Sequence, residues 1–263
     1  MENNDKSKNE SASFKSITEL HLNKTGKVSN KWSSYLTYYD QVFLGIRNNS
    51  IKLLEIGVQN GGSLETWAKY FQNATKIVGC DIDEKCGVLK FDDERILMLV
   101  GEVNSVKILT ELNKLGPWDV IIDDGSHRSE DILVGFLNYF PLLKSGGIYV
   151  IEDTHAVYQR TETGIKASWN VFSLFKDLTD IINFQFWSHE ESIQKKLQVY
   201  LNTNPPSWLL EGWIDSIEFR NSMITIKKSE KAGHQKVGEI TITGNIAEVD
   251  DTPLKVRAAR QIK

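Results

Sequence analysis

Cysteine is scarce. Cys80 and Cys86 are the only two in 263 residues, too few for a disulfide framework or a cysteine-based zinc site, and a reducing cytoplasm fits that usage. Long apolar runs are also missing. None approaches the roughly 20 residues of a membrane span, and the polar start, MENNDKSKNESAS, offers no apolar segment for a secretory signal. Excess positive charge is absent too. Against 31 Lys and Arg stand 35 Asp and Glu, a net charge of −4, which argues against a nucleic-acid binder that works by neutralising phosphates. No internal repeat is visible. What remains, 40% hydrophobic and 25% charged, suits a soluble globular chain with one large domain or a domain with appendages.

Two stretches echo each other. WDVIIDDGSH (118–127) and GGIYVIEDTH (146–155) each carry an apolar run, Val120-Ile121-Ile122 and Ile148-Tyr149-Val150-Ile151, then two adjacent acids and a His. An uninterrupted β-branched run bounded by turn residues reads as a strand buried on both faces of a parallel sheet. A helix-like segment, 129–143, lies between them. The unit is therefore strand–helix–strand, and it delivers Asp123, Asp124, His127, Glu152, Asp153 and His155 to the carboxyl edge, where open α/β sheets bind ligands.

The rest of the chain supplies more such units. Residues 1–16, rich in Asn, Lys, Ser and Glu, read as a disordered tail. Residues 31–43 hold Trp32, Tyr35, Tyr38, Tyr39 and Phe43, either the core-facing side of an amphipathic helix or an aromatic lid, about 24–45, closing over a flat ligand. Leu53-Leu54-Glu55-Ile56 reads as the first strand, followed by a glycine turn, 57–62, and a helix that Ser63 can cap. Ile77-Val78-Gly79-Cys80 is a second strand ending at Asp81, and 95–100 a third ending at Gly101-Glu102. Helices are expected over 105–115 and 169–182. Residues 214–228 read as a hairpin turning at Asn221-Ser222, which leaves 229–263 as a C-terminal extension with one strand-like run, Ile240-Thr241-Ile242.

Two chemistries follow from the residue types. The turn Glu55-x-Gly57-x-x-x-Gly61-Gly62 lacks the spacing of a dinucleotide fold, and its Glu suits a ligand carrying an ammonium and hydroxyls. Asp81 stands where a carboxylate binds a ribose diol. Together these residues look like the S-adenosylmethionine site of a class I methyltransferase. At the acidic edge, adjacent carboxylates cannot all ionise cheaply without a positive charge between them. A hard divalent cation is the usual resolution, although Asp124 in D-G-S-H could equally serve as a structural turn residue. His127, three residues after Asp124, could take a proton from a hydroxyl held there. His155 could be a partner, a substrate contact or a surface residue. His21, His189 and His234 have no supporting context.

The motifs N-K-W-x-x-Y-x-x-Y-Y, L-L-E-I-G-V-x-x-G-G-S-L, I-I-D-D-G-S-H, G-G-I-Y-V-I-E-D-T-H and S-I-E-F-R-N-S-M resemble the metal-dependent macrolide-sugar O-methyltransferases over about residues 30–228. The resemblance implies a Rossmann-like doubly wound α/β sheet ordered 3-2-1-4-5-7-6, with an antiparallel C-terminal hairpin. It implies S-adenosylmethionine bound by Trp32, Tyr35, Glu55, Gly57, Gly61, Ser63, Asp81, Glu102 and Asp123, with Glu102 standing where relatives often carry Asp. It further implies Mg²⁺ on Asp124, Glu152 and Asp153, with His127 as base beside Asp124. The reaction would be methyl transfer to a sugar hydroxyl of a glycoside or glycan precursor, with the methyltransferase domain over 17–228. A homo-oligomer is compatible with the sequence. Two other readings stand beside it: a non-haem iron oxygenase using His127, His155 and Asp153, and a non-catalytic protein that binds S-adenosylmethionine.

Overall fold

The computed structural model describes residues 14–159, 168–183, 190–201, 203–231, 233 and 240–261. Two helices come first, α1 (Ile17–Leu22) and α2 (Ser33–Phe43). The alternating units follow: β1 (Lys52–Ile56), α3 (Gly62–Tyr70), β2 (Lys76–Asp81), β3 (Ile96–Val100), α4 (Val106–Leu115), β4 (Trp118–Asp123), α5 (Ser129–Tyr139) and β5 (Leu143–Ile151). Then come α6 (Ala156–Gln159), α7 (Val171–Ile182), α8 (Glu190–Leu197), α9 (Ser207–Leu210), the hairpin strands β6 (Ile214–Arg220) and β7 (Met223–Lys228), and α10 (Thr252–Gln261).

Seven strands form one sheet in the order β3-β2-β1-β4-β5-β7-β6. The first five run parallel, and β7 and β6 are antiparallel at one edge. The sheet has a core on each face because successive side chains point opposite ways. Leu53, Ile77, Val120, Ile122, Ile148 and Val150 pack with Tyr39, Phe43, Trp67 and Phe71 from α2, α3 and the turn after it. Leu54, Val78, Ile121, Tyr149 and Ile151 pack with Leu112, Phe136 and Phe175 from α4, α5 and α7. Strand order reverses about β1, whose neighbours are β2 and β4. The connections leave those strand ends in opposite directions and open a crevice there.

Two expectations need correcting, and others fall outside what is described. Ser63 caps nothing. The cap position of α3 is Gly61, left-handed at φ 77, and the Ser63 hydroxyl is drawn instead to the buried Glu55 Oε2 at 2.6 Å. Ile240-Thr241-Ile242 makes no strand. Ile240 is 73% exposed, so the run buries too little to favour pairing, and its carbonyl accepts from Arg260 of α10 instead. Residues 1–13, the loop over 160–166, His189 and His234 lie outside the described residues, whereas Ser16 of the expected tail caps α1 by accepting from Glu19 N. No described helix is long and apolar enough to cross a membrane.

Candidate active site

A cavity of 920 Å³ opens at the carboxyl ends of β1, β2, β4 and β5. Its first wall is the glycine turn after β1. Asp81 Oδ2 accepts from the backbone N–H groups of Val58 at 2.7 Å and Gln59 at 2.9 Å, and Oδ1 accepts from Asp83 N at 2.9 Å. Burial raises the Asp81 pKa, but these backbone donors outweigh it and leave the carboxyl below its ordinary value. Three N–H bonds leave room on a carboxylate with about four lone-pair sites, and the remaining face lines the cavity. Gly57, at φ 82, is required by its neighbour as much as by any ligand: a Cβ there would stand 2.0 Å from the Asp124 carbonyl oxygen.

The opposite wall is the acidic edge. Asp123 turns to the α5 face, where its carboxylate meets Gly125 N at 3.3 Å and the Tyr149 hydroxyl at 3.4 Å. Burial pushes it up to about 7. Glu152 turns the other way, towards α2, and its Oε1 accepts from the Tyr39 hydroxyl and Lys31 Nζ. Burial raises it as well. Asp124 and Asp153 stay half-exposed beside His127. His127 Nε2 faces Asp153 Oδ2 across 3.7 Å and Asp124 Oδ1 across 4.0 Å, gaps too long for hydrogen bonds. Its Nδ1 is buried without a hydrogen-bond partner among the described residues.

Asp124, His127 and Asp153 each offer a ligand atom within 4.8 Å of the others. Around an octahedral Mg²⁺ at ~2.1 Å, neighbouring ligand atoms stand ~3 Å apart and opposite ones ~4 Å. The trio is close to that span; its two carboxylates supply the oxygen ligands that suit Mg²⁺ or Mn²⁺, and the His127 imidazole stands beside them. Glu152, expected beside them, is not part of the trio; its Oε1 is engaged by Lys31 and Tyr39 behind it. His155 is outside it too. Its Nδ1 is hydrogen-bonded to the Ser222 hydroxyl, and its ring meets Trp32 edge-on at 5.8 Å. The two-histidine triad of an iron site is therefore not assembled.

Sequence reasoning passed over Lys31 except as a letter in a motif. Its side chain is 6% exposed, and Nζ lies 2.6 Å from Asp124 Oδ2, 2.8 Å from Glu152 Oε1 and 3.6 Å from Glu55 Oε1. Burial works against the ammonium, but Glu152, Asp124 and Glu55 outweigh it and hold the pKa well above ordinary. The available signal was charge balance, because a cluster of acids at one edge called for a cation that the two motifs did not supply. The aromatic segment divides between the core and the cavity wall. Tyr35, Tyr38, Tyr39 and Phe43 are buried, while Trp32 is 58% exposed and lines the cavity. The Trp32 Nε1 and the Tyr35 hydroxyl both donate to Asp153 Oδ1, at 3.1 and 2.8 Å.

Backbone strain marks the same place. Among the described residues, the left-handed non-glycines are Gln59, His127, Asp153 and Ser222, with φ from 50 to 68. One is in the glycine turn and two are in the trio. The fourth, Ser222, accepts from the Tyr35 hydroxyl. Such conformations cost roughly 1–3 kcal/mol each, and three of the four line the cavity. Of the residues expected to bind the donor, Trp32, Gly57, Ser63, Asp81, Glu102 and Asp123 line it. Tyr35 and Glu55 lie behind the wall. The Glu55 carboxylate meets Ser63 and the Lys31 ammonium of this same chain. Gly61 faces Phe91 and Leu89.

Comparison with known proteins matches residues 54–154 to the methyltransferase domain family. The chain is 35% identical over 170 residues to demethylmacrocin O-methyltransferase of Streptomyces fradiae, covering 59% of this chain and 42% of that protein. It is 34% identical over 163 residues to mycinamicin VI 2''-O-methyltransferase of Micromonospora griseorubida, covering 57% and 40%. In three dimensions it is similar to the MycE methyltransferase of the mycinamycin biosynthetic pathway, solved with Mg and SAH. The TM-score is 0.63 and the identity 27%, over 85% of this chain and 54% of that one. The chain thus spans about half or less of the length of these relatives. Residues 54–154 match a methyltransferase domain, and in sequence and in fold the chain resembles the macrolide-sugar O-methyltransferases.

Proposed function

We propose that this chain transfers a methyl group from S-adenosylmethionine to a sugar hydroxyl of a glycoside, with a divalent cation, most simply Mg²⁺, at the acidic edge. One observation carries the reading: the Asp81-braced glycine turn and the Asp124, His127, Asp153 trio open into a single cavity. Relatives named as sugar O-methyltransferases, and a similar fold solved with Mg and SAH, support it.

The residues divide the work. Asp81 presents its remaining lone pair to a ribose hydroxyl of the donor, and Gly57 and Ser63 let the donor lie against the β1 turn. Trp32, held by Asp153, covers the cavity mouth and excludes water. A divalent cation held by Asp124 and Asp153 would lower the pKa of an acceptor hydroxyl and orient it. His127 Nε2 accepts the hydroxyl proton as the new C–O bond forms and the sulfonium C–S bond breaks, which leaves a neutral thioether. Proximity supplies much of the remaining rate, because the transfer requires an in-line approach. Residues 17–228 would make up the catalytic unit, with 229–263 as an appendage.

Calorimetric titration with S-adenosylhomocysteine, with and without Mg²⁺, tests the donor half. Mass detection of methyl transfer across a panel of glycosides tests the rest. Binding should survive a chelator while turnover does not. Absence of donor binding would overturn the whole reading, and full turnover under chelation would remove the metal from it.

A further inference from the structure

Lys31 sits on a strap that is itself anchored. Residues 24–31 run across the start of α3, held by Glu65: Lys24 Nζ lies 2.5 Å from Oε2, Lys27 N donates to Oε2 at 2.9 Å, and Lys27 Nζ lies 3.2 Å from Oε1. Gly62 lets the strap pass, since a Cβ there would stand 2.2 Å from the Val28 carbonyl oxygen. The strap ends by burying the Lys31 ammonium between carboxylates from β1 and from the turns after β4 and β5.

The ammonium touches one oxygen of each of two acids. It takes Asp124 Oδ2, while Asp124 Oδ1 faces His127 Nε2. It takes Glu152 Oε1, which the Tyr39 hydroxyl also engages. Without a positive charge behind them, Asp124 and Glu152 would repel each other across a buried space, and neither would hold one rotamer.

We infer that Lys31 is a positioning residue: a cation built into the chain that fixes one oxygen of Asp124 and one of Glu152, so that the other Asp124 oxygen is set towards His127 and Asp153 to receive a divalent cation. This rests on the metal reading above. Lys31 would not compete with the ion, because the ammonium and the trio use opposite oxygens of Asp124. Groups that orient metal ligands from behind typically change metal affinity about 10–100-fold when removed.

The test uses Mn²⁺ as the probe, with its affinity measured by calorimetry on the full chain without donor or acceptor. Lys31→Met should bind Mn²⁺ about 10–100-fold more weakly than the parent, and Lys31→Arg, which keeps the charge, should regain most of that loss. Lys31→Gln, with a donor but no charge, should show the same loss and serves if the Met variant does not fold. Unchanged or tighter Mn²⁺ binding in the Met or Gln variant would overturn the inference, tighter binding by making Lys31 a competitor. An Arg variant no better than the Met variant, both folded, would overturn it as well. If the parent itself binds no Mn²⁺, the metal reading fails and this inference fails with it, an outcome distinct from the others.

Discussion

The ends of β4 and β5 are spelled almost alike, yet they fold differently. Each continues an apolar run into two acids that line the cavity, and in each pair the first acid is buried while the second is partly exposed. Their environments part there. Asp123 turns to the α5 face and has Gly125 N and a distant Tyr149 hydroxyl as partners, with no ammonium of the described residues within salt-bridge reach. Glu152 turns to the α2 face, where Lys31 and Tyr39 wait for it. Alternation along a strand explains the split, because Asp123 shares a face with its register partner Ile151, and Glu152, one residue on, takes the other. Burial pushes the Asp123 carboxyl up to about 7 and raises Glu152 as well, but only Glu152 is an ion-pair node.

The largest expected effect falls on what both ends hold in common. His127→Ala should lower turnover about 10²–10⁴-fold, with little change in melting temperature, since its Nε2 makes no close contact. Retained Mn²⁺ affinity in that variant would place His127 as base; lost affinity would place it as a ligand and leave the base to be found. Next in size is Gly57→Ala. The new Cβ meets the Asp124 carbonyl at 2.0 Å with φ at 82, so urea unfolding should show a loss of about 3 kcal/mol or more. The β4 end should loosen more than the β5 end. Equal loosening by hydrogen exchange would mean that the two ends are not separately supported.

Paired hydroxyl deletions sharpen the contrast. Tyr39→Phe leaves the buried Glu152 with one donor fewer and should cost about 1–3 kcal/mol. Tyr149→Phe removes a 3.4 Å contact that contributes far less, and should cost under about 1 kcal/mol. If the two substitutions cost the same in matched urea titrations, the difference between the ends is one of appearance only.

Much of this was legible in the sequence, for physical reasons. The five parallel strands announce themselves because burial on both faces writes an unbroken β-branched run, and the hairpin because Asn221-Ser222 interrupts two alternating ones. The cavity could be located because ligands gather at carboxyl ends. Long-range pairing was not legible. Lys31 and Glu152 are separated by 121 positions, and nothing local to Lys31 distinguishes it from a solvated lysine. The direction in which each acid turns depends on the register of β4 against β5, with Asp123 beside Ile151, which no local motif states. Tyr35 and Trp32, three apart on one short segment, take opposite fates because α2 begins at Ser33 and only what precedes it can reach the cavity. Ile240-Thr241-Ile242 misled because β-branched residues favour a strand only where an edge is available to receive them.

The smallest effect tests how the strap is coupled to the two ends that Lys31 reaches. Burial raises the Glu65 pKa, but Lys24 and Lys27 outweigh it and leave the carboxyl below its ordinary 4.5. A carboxyl with a depressed folded pKa binds protons less readily when folded than when unfolded. Its contribution is therefore complete above about 4.5 and lost as pH falls through the lower folded value. Glu65→Gln should accordingly be less stable than the parent by under about 1 kcal/mol at pH 7, as a partly screened pair allows. The gap should close as pH falls below 4.5. A gap that persists unchanged into acid would mean that the substitution acts through packing and not through charge. At pH 7, hydrogen exchange should report faster exchange over residues 24–31 in the variant. Lys31 ties the strap to Glu152 and to Asp124 alike, so any loosening that spreads should reach 123–125 and 151–153 together. A change confined to one of these ends would mean that the strap supports only that one.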